Sequence, residues 1–86
     1  MKISRSERFA RRVQKRLSSD EQRALARALR LFSVDPRDPR LGTHKLTGRH
    51  EDKWAFGFGY DARVIFSWES DHVVLLDVGA PDEVYG

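Results

Sequence analysis

The hydrophobic residues change period once along this chain, and that change constrains the fold more than any other feature. Before Asp35-Pro-Arg-Asp-Pro39 the apolar residues recur every three or four positions, and from Trp54 onward they recur at every second one. A helix repeats every 3.6 residues and a strand every two, so the chain reads as helical first and stranded afterwards. Each proline lacks an amide hydrogen and biases its predecessor away from helical angles, which ends the helical half there. Helices followed by strands is the order of an α+β domain, here a helical hairpin packed on a small, mainly antiparallel sheet. The 86 residues leave room for one such domain, 1–86, with one core. The chain has no cysteine, so that core must hold without a disulfide or a thiolate zinc site.

Ser4-Arg-Ser-Glu7 has the spacing of a capping box and predicts a helix from near Arg5. Phe9, Val13 and Leu17 line one face of it with Ala10, and Arg8, Arg11, Arg12, Lys15 and Arg16 cover the rest. Ser18-Ser-Asp-Glu21 repeats the box, and Leu25, Leu29 and Phe32, with Ala24 and Ala28, carry a second helix to about Ser33. A break at Leu17-Ser18 makes the pair an αα-hairpin. In the strand half, Arg40 to Leu46 reads as a short extended segment and Thr47 to Asp52 as a loop. Trp54, Phe56, Phe58 and Tyr60 share one parity, as do Ala62, Val64, Phe66 and Trp68, with Gly59-Tyr60-Asp61 as the bend between two strands. Val73 to Val78 is nearly continuous apolar sequence, suited to a strand that is central or covered on both faces. Met1 to Ile3 is a candidate edge strand, and a chain this size supports about three to five strands.

Charge divides as the fold does. Residues 1–32 hold ten Lys and Arg against three acids, whereas residues 33–86 hold six against ten. A basic half fits a polyanion, because each cation that neutralises a phosphate releases condensed counterion. It fits an acidic protein equally, and charge runs also commonly cover solvated helix faces. Arg23, Arg27 and Arg30, spaced four and then three, form a narrow cationic stripe on the second helix. No apolar run approaches the roughly 20 residues of a membrane span, and no signal-peptide hydrophobic region follows Met1-Lys2-Ile3-Ser4-Arg5. A soluble, cytoplasmic protein with no membrane partner is expected.

Several chemistries lack their motifs. The sequence has no Walker loop, no dinucleotide fingerprint, no His-Glu-x-x-His and no serine elbow. His44, His50 and His72 have no second-ligand spacing, so neither a metal nor another cofactor is expected. What remains is a polar set on the strand half: His44, Lys45, Arg49, Lys53, Asp61, Arg63, Asp82, Glu83 and Tyr85. Arg63 has the opposite parity to Val64 and Phe66, so it leaves the helix-covered face. There it can fork onto a phosphate or form a salt bridge with Asp61 or Glu83. Tyr85 can stack on a base, donate a proton, or anchor the chain end by packing. Cleaving RNA without metal requires a base for the 2′-hydroxyl proton, a cation beside the pentavalent phosphorus, and an acid at the leaving oxygen. Asp61, Lys45 or His44 are candidates for the base, Arg63 for the cation and Tyr85 for the acid.

The blocks His44-Lys-Leu-Thr-Gly48, Trp54-Ala-Phe56, Gly59-Tyr-Asp-Ala-Arg-Val-Ile-Phe66, Leu75-Leu-Asp-Val-Gly79 and Asp82-Glu-Val-Tyr85 together resemble the RelE/ParE superfamily of type II toxins. The likeness looks closest to the RelE/StbE branch, often called plasmid-stabilisation proteins, and covers most of residues 30–85. It implies a RelE-like fold and an endonuclease that cuts mRNA on the ribosome and is silenced by a cognate antitoxin. It also implies a possible higher-order complex on operator DNA, reached through the antitoxin. By the same resemblance Arg63 matches the arginine at the scissile phosphate and Tyr85 a terminal stacking or catalytic group. His44 and Asp61 match positions that do acid–base work in a histidine-rich branch. With Arg23, Arg27 and Arg30, the cations Arg49 and Lys53 are the candidate RNA and ribosome contacts. Two positions depart from the pattern: Gly57 and Pro81 stand where relatives commonly carry Arg, Lys or His, and neither side chain transfers a proton. Two other readings therefore accompany the nuclease. One is a ParE-like inhibitor of DNA gyrase, and the other is a weakened toxin that acts through antitoxin binding and operon co-repression.

Overall fold

The computed structural model describes residues 1–85. Its elements run β1 (Lys2–Arg5), α1 (Glu7–Arg16), α2 (Ser19–Val34), β2 (His44–Lys45), β3 (Trp54–Phe58), β4 (Ala62–Glu69), β5 (His72–Gly79) and α3 (Pro81–Tyr85), with a 3₁₀ turn at Gly48–His50. The five strands form one sheet in the order β1-β5-β4-β3-β2. Only β1 and β5 are parallel among the pairs, so the sheet is mainly antiparallel, as the change of period predicts.

The first helix starts two residues later than its sequence suggests. Lys2–Arg5 pairs with His72–Leu75, which takes Ser4 into the sheet, and Ser6 becomes the cap, accepting from the Phe9 amide at 3.1 Å. The edge strand expected at Met1 to Ile3 is thus displaced to Lys2–Arg5 and absorbs the first half of the apparent capping box. The second box is as read: Ser18 Oγ accepts from the Glu21 amide and Glu21 Oε1 from the Ser18 amide, at 3.1 and 2.9 Å. Each satisfies a donor that the helix itself leaves free.

Phe9, Leu17, Leu25, Ala28 and Phe32 from the helices meet Phe56, Phe58, Ala62, Val64, Phe66, Val73, Leu75 and Val78 from the sheet in one core. The β5 run looks continuously apolar because it contains a bulge. Ile65 pairs with Asp77 but Phe66 with Leu75, which leaves Leu76 as an extra residue and reverses the parity beyond it. Leu75 and Val78 therefore both face the helices, while Val74 and Leu76 are only half-buried. The strand is paired on both edges rather than covered equally on both faces.

Two segments differ from expectation. Residues 40–42 are turn, with Gly42 at φ 62°, and within 40–46 only His44–Lys45 pair as a strand. Asp35 and Asp38 shape this loop by accepting the amides of Arg37 and Arg40, at 3.0 and 2.9 Å. Leu41 is buried, its carbonyl accepts the Gly57 amide at 2.8 Å, and Arg37 lies 5.1 and 5.2 Å over the Trp54 and Trp68 rings. The loop is thereby fastened to the sheet at both ends. The second difference is α3, which period reading missed because five residues show little more than one helical turn. Val84 seats it on Ala55 and Ile65, on the sheet face away from α2, with Leu46 and Tyr85 around the edge of that cluster.

Candidate functional site

Register decides which side chains can meet. Residues directly opposed on neighbouring strands share a face, so Arg63 shares one with its partners Gly57 and Gly79. His44, Ala55, Ile65 and Asp77 form the adjacent row of that same face, roughly 7 Å along the strands. This is the face opposite the large core, as parity requires of Arg63.

Arg63 lies back across Gly57 rather than standing upright. Its Nη1 donates to the Ala62 carbonyl at 3.0 Å and is 3.3 Å from the place a Cβ at position 57 would occupy. Its Nη2 is 3.8 Å from Asp61 Oδ1, a long contact with an exposed carboxylate, and about a third of the Arg63 side chain is open to solvent. Glu83, the other acid considered for pairing with it, is held elsewhere by Arg16.

Arg63 lines a cleft of about 380 Å³ with Pro39, Arg40, Leu41, Gly42, His44, Gly57, Phe58 and Gly59. A second depression of about 550 Å³ shares Arg40, Leu41 and Gly57 to Gly59 with it and continues to Arg27, Arg30, Leu31 and Val34. Together they form one groove lined by Arg27, Arg30, Arg40, His44 and Arg63, and among the described residues no acidic side chain lines either part. His44 Nδ1 lies 3.0 Å from the Gly42 carbonyl. A carbonyl only accepts, so Nδ1 carries the proton in the neutral ring and Nε2 keeps the free lone pair. Arg40 was not singled out by sequence reasoning. Nothing in Asp35-Pro-Arg-Asp-Pro-Arg40 distinguishes it from Arg37, and only the turn brings it to the cleft. It also holds Asp38 below the usual carboxylate range through their side-chain hydrogen bond.

The other sequence candidates divide. Tyr85 packs against the Ala55–Ile65 cluster on the Arg63 face and does not itself line the groove. Asp61 occupies the β3–β4 turn and touches the site only through its long contact with Arg63. Lys45 is not gathered: it opposes Trp54, which opposes Phe66, so it belongs to the helix-covered side, in a hollow with Thr47, Glu51 and Asp52. Arg49 is exposed on the 3₁₀ turn and Lys53 follows it, and neither lines the groove. In the α2 stripe, Arg27 and Arg30 reach the groove, whereas Arg23 is paired with Asp20. Among the described residues no three His, Cys, Asp or Glu side chains come close enough to hold a metal ion. None of the described helices is long and apolar enough to cross a membrane.

The α1 arginines also divide. Arg8, Arg12 and Arg16 are spaced one turn apart and turn toward acids of the chain's last third. Arg8 and Arg12 reach Asp77 at 3.5 and 2.9 Å, and Arg16 reaches Glu83 at 2.5 Å. Glu83 Oε1 also accepts the Ala80 amide at 2.8 Å, and this bond, with the Arg16 hydrogen bond and the charges of Arg16 and Arg12, holds the carboxyl below its ordinary range. A lowered carboxyl contributes stability above its unfolded value and loses it as pH falls through the folded one. The α3 amides, followed by hydrogen exchange, are therefore expected to keep constant protection from neutral pH down to the ordinary glutamate range and to lose it below. Protection lost already near neutrality would contradict this assignment.

The departures at Gly57 and Pro81 acquire structural meaning here. Position 57 without a side chain is what lets the Arg63 guanidinium lie flat, and Pro81 opens α3 at its first helical residue, where a missing amide hydrogen costs nothing.

No protein-family model and no curated protein sequence matches the chain. Solved structures do. YafQ from E. coli aligns with a TM-score of 0.79 at 17% identity, covering 98% of this chain and 97% of its own. The chain has the RelE/ParE toxin fold. The YoeB/ParE toxin from Agrobacterium tumefaciens shares that fold at TM-score 0.76 and 11% identity, over 93% of this chain and 98% of the other. The RelB-RelE antitoxin-toxin complex from Methanococcus jannaschii aligns at TM-score 0.73 and 12% identity, over 95% and 94%. Across these RelE/ParE-fold structures the alignment includes both the helical hairpin and the sheet, since it spans nearly the whole of each chain.

Proposed function

We propose that this chain is the toxin of a type II toxin–antitoxin pair and that it cleaves message on the ribosome, in the cytoplasm, by metal-independent acid–base chemistry. The observation that carries the proposal is the Arg63 guanidinium, about one-third exposed on the sheet face away from the helical hairpin, in a groove lined by cations and, among the described residues, by no acidic side chain. A phosphodiester fits such a groove because every lining charge attracts it, and because a guanidinium can grip two phosphate oxygens at once. His44 Nε2 is the group best placed to take the 2′-hydroxyl proton. The 2′ oxygen then attacks phosphorus, Arg63 offsets the charge that develops on the phosphoryl oxygens, and the 5′ oxygen leaves with a proton. Tyr85, on the same face, is the candidate donor of that proton, and Asp61 is an alternative to His44 as base. The solved RelB-RelE antitoxin-toxin complex supports an antitoxin as this chain's partner.

Arg27 and Arg30 extend the cationic groove toward α2 and are assigned to ribosomal or message phosphates. Replacing both with Gln is expected to weaken ribosome binding and to reduce the slope of log affinity against log salt by about 1.5, since each neutralised phosphate contributes roughly 0.7–0.9. Arg23→Gln, whose charge already faces Asp20, should change the slope far less. Binding measured across a salt series decides this, and an unchanged slope in the double variant removes the docking role. The proposal as a whole is tested with the purified chain and programmed ribosomes: cleavage that survives chelation, yields 2′,3′-cyclic ends and falls in His44→Ala supports it. Message left intact by the wild-type chain refutes it.

A further inference from the structure

We infer that Arg16 and Glu83 are positioning residues for Tyr85, an inference that rests on reading Tyr85 as part of the cleavage site. A five-residue helix has no stability of its own, because the cost of nucleating a helix exceeds what one turn returns. Tertiary contacts must therefore hold α3. Val84, buried on Ala55 and Ile65, and Tyr85, packed at the edge of that cluster, set how deep the helix sits, but two neighbouring apolar contacts at its C-terminal end leave its N-terminal end free to pivot. The Glu83 carboxylate removes that freedom by joining three elements. One oxygen accepts the amide of Ala80, where β5 passes into α3, and the other accepts from Arg16 in the last turn of α1. Arg16 is itself steadied, since one turn earlier Arg12 is bonded to Asp77 of β5. Gly79 leaves the carboxylate its space, for a Cβ there would stand 2.9 Å from Glu83 Oε1. Tyr85 follows two residues after Glu83. A cation that lines no part of the groove thus determines where the terminal phenol lies.

The chain has two tyrosines, and Tyr60 is fully exposed on the β3–β4 turn, so it supplies an internal reference. With both labelled as 3-fluorotyrosine, Arg16→Met and Glu83→Gln are expected to shift or broaden the Tyr85 fluorine resonance and leave Tyr60 unmoved. Gln at 83 can still accept the Ala80 amide, so its effect isolates the charged contact. In cleavage assays both variants should lose about three- to tenfold in kcat with little change in KM, as for a misplaced group rather than a lost substrate contact. Arg16→Lys, which keeps the charge, should recover most of both signals. An unmoved Tyr85 resonance in both variants overturns the inference, as does a raised KM with unchanged kcat, which would make Arg16 a direct RNA contact. Wild-type protein that cuts nothing removes the nuclease reading instead, and the fluorine spectra still decide whether the pair places Tyr85.

Discussion

Arg63→Ala is expected to lower the rate of ribosome-bound message cleavage by about 10²–10⁴-fold, the range over which a single catalytic group contributes. Arg63→Lys should recover only part of that loss, because an ammonium supplies charge without the planar fork that meets two phosphoryl oxygens. Neither change should disturb the fold. The guanidinium bonds only the carbonyl of its own neighbour, lies 3.8 Å from Asp61, and covers a glycine rather than filling a cavity. Thermal midpoints of the variants should therefore stay close to that of the parent while activity collapses. Undiminished cleavage by Arg63→Ala would mean that the groove binds or cuts through other residues.

The largest effect on stability is expected at Phe32. Its ring is fully buried, stacked on Phe56 at 4.9 Å and set edge-on to Phe66 at 5.0 Å, so it joins α2 to β3 and β4 at the centre of the core. Truncating such a ring removes its transfer free energy and leaves a void that close-packed neighbours fill only partly. Phe32→Ala should cost about 3–5 kcal/mol, against a total of about 5–15 kcal/mol for a domain of this kind. Phe32→Leu, which retains much of the volume, should cost markedly less. Urea unfolding of the three proteins checks this ordering, and a loss below about 1 kcal/mol for the alanine variant would show that α2 is not packed on the sheet as described.

Much of this architecture could be read from residue periodicity, for identifiable reasons. The helical hairpin was legible because its apolar stripes are long and one complete capping box punctuates them. The β3–β4 hairpin was legible because alternating runs lie on both sides of Gly59-Tyr60-Asp61 and together are long for one strand. Where reading failed, a partner distant in sequence had decided the local structure. Ser4 looks like a cap until Lys2–Arg5 finds β5, about 70 residues away. Val73 to Val78 was legible as a central strand, but the bulge at Leu76, which its pairing with β4 reveals and which puts Leu75 and Val78 on one face, was not. The candidate site divides in the same way. Parity alone placed Arg63 on the face away from the helical hairpin, because alternation on one strand needs no knowledge of its neighbours. The same reasoning could not separate His44 from Lys45, since adjacent residues on a strand go to opposite faces and only pairing with β3 shows which. The basic face of α1 was visible as composition, but its partition into pinned and free arginines depends on Asp77 and Glu83, more than 60 residues further on.

The account stands or falls most directly on message-end mapping after induction without antitoxin. Growth arrest accompanied by cuts in register with codons, lost when position 63 is changed to alanine, is the predicted result. Arrest with intact messages and an induced DNA-damage response would contradict it, and would place the action of this fold on gyrase rather than on RNA.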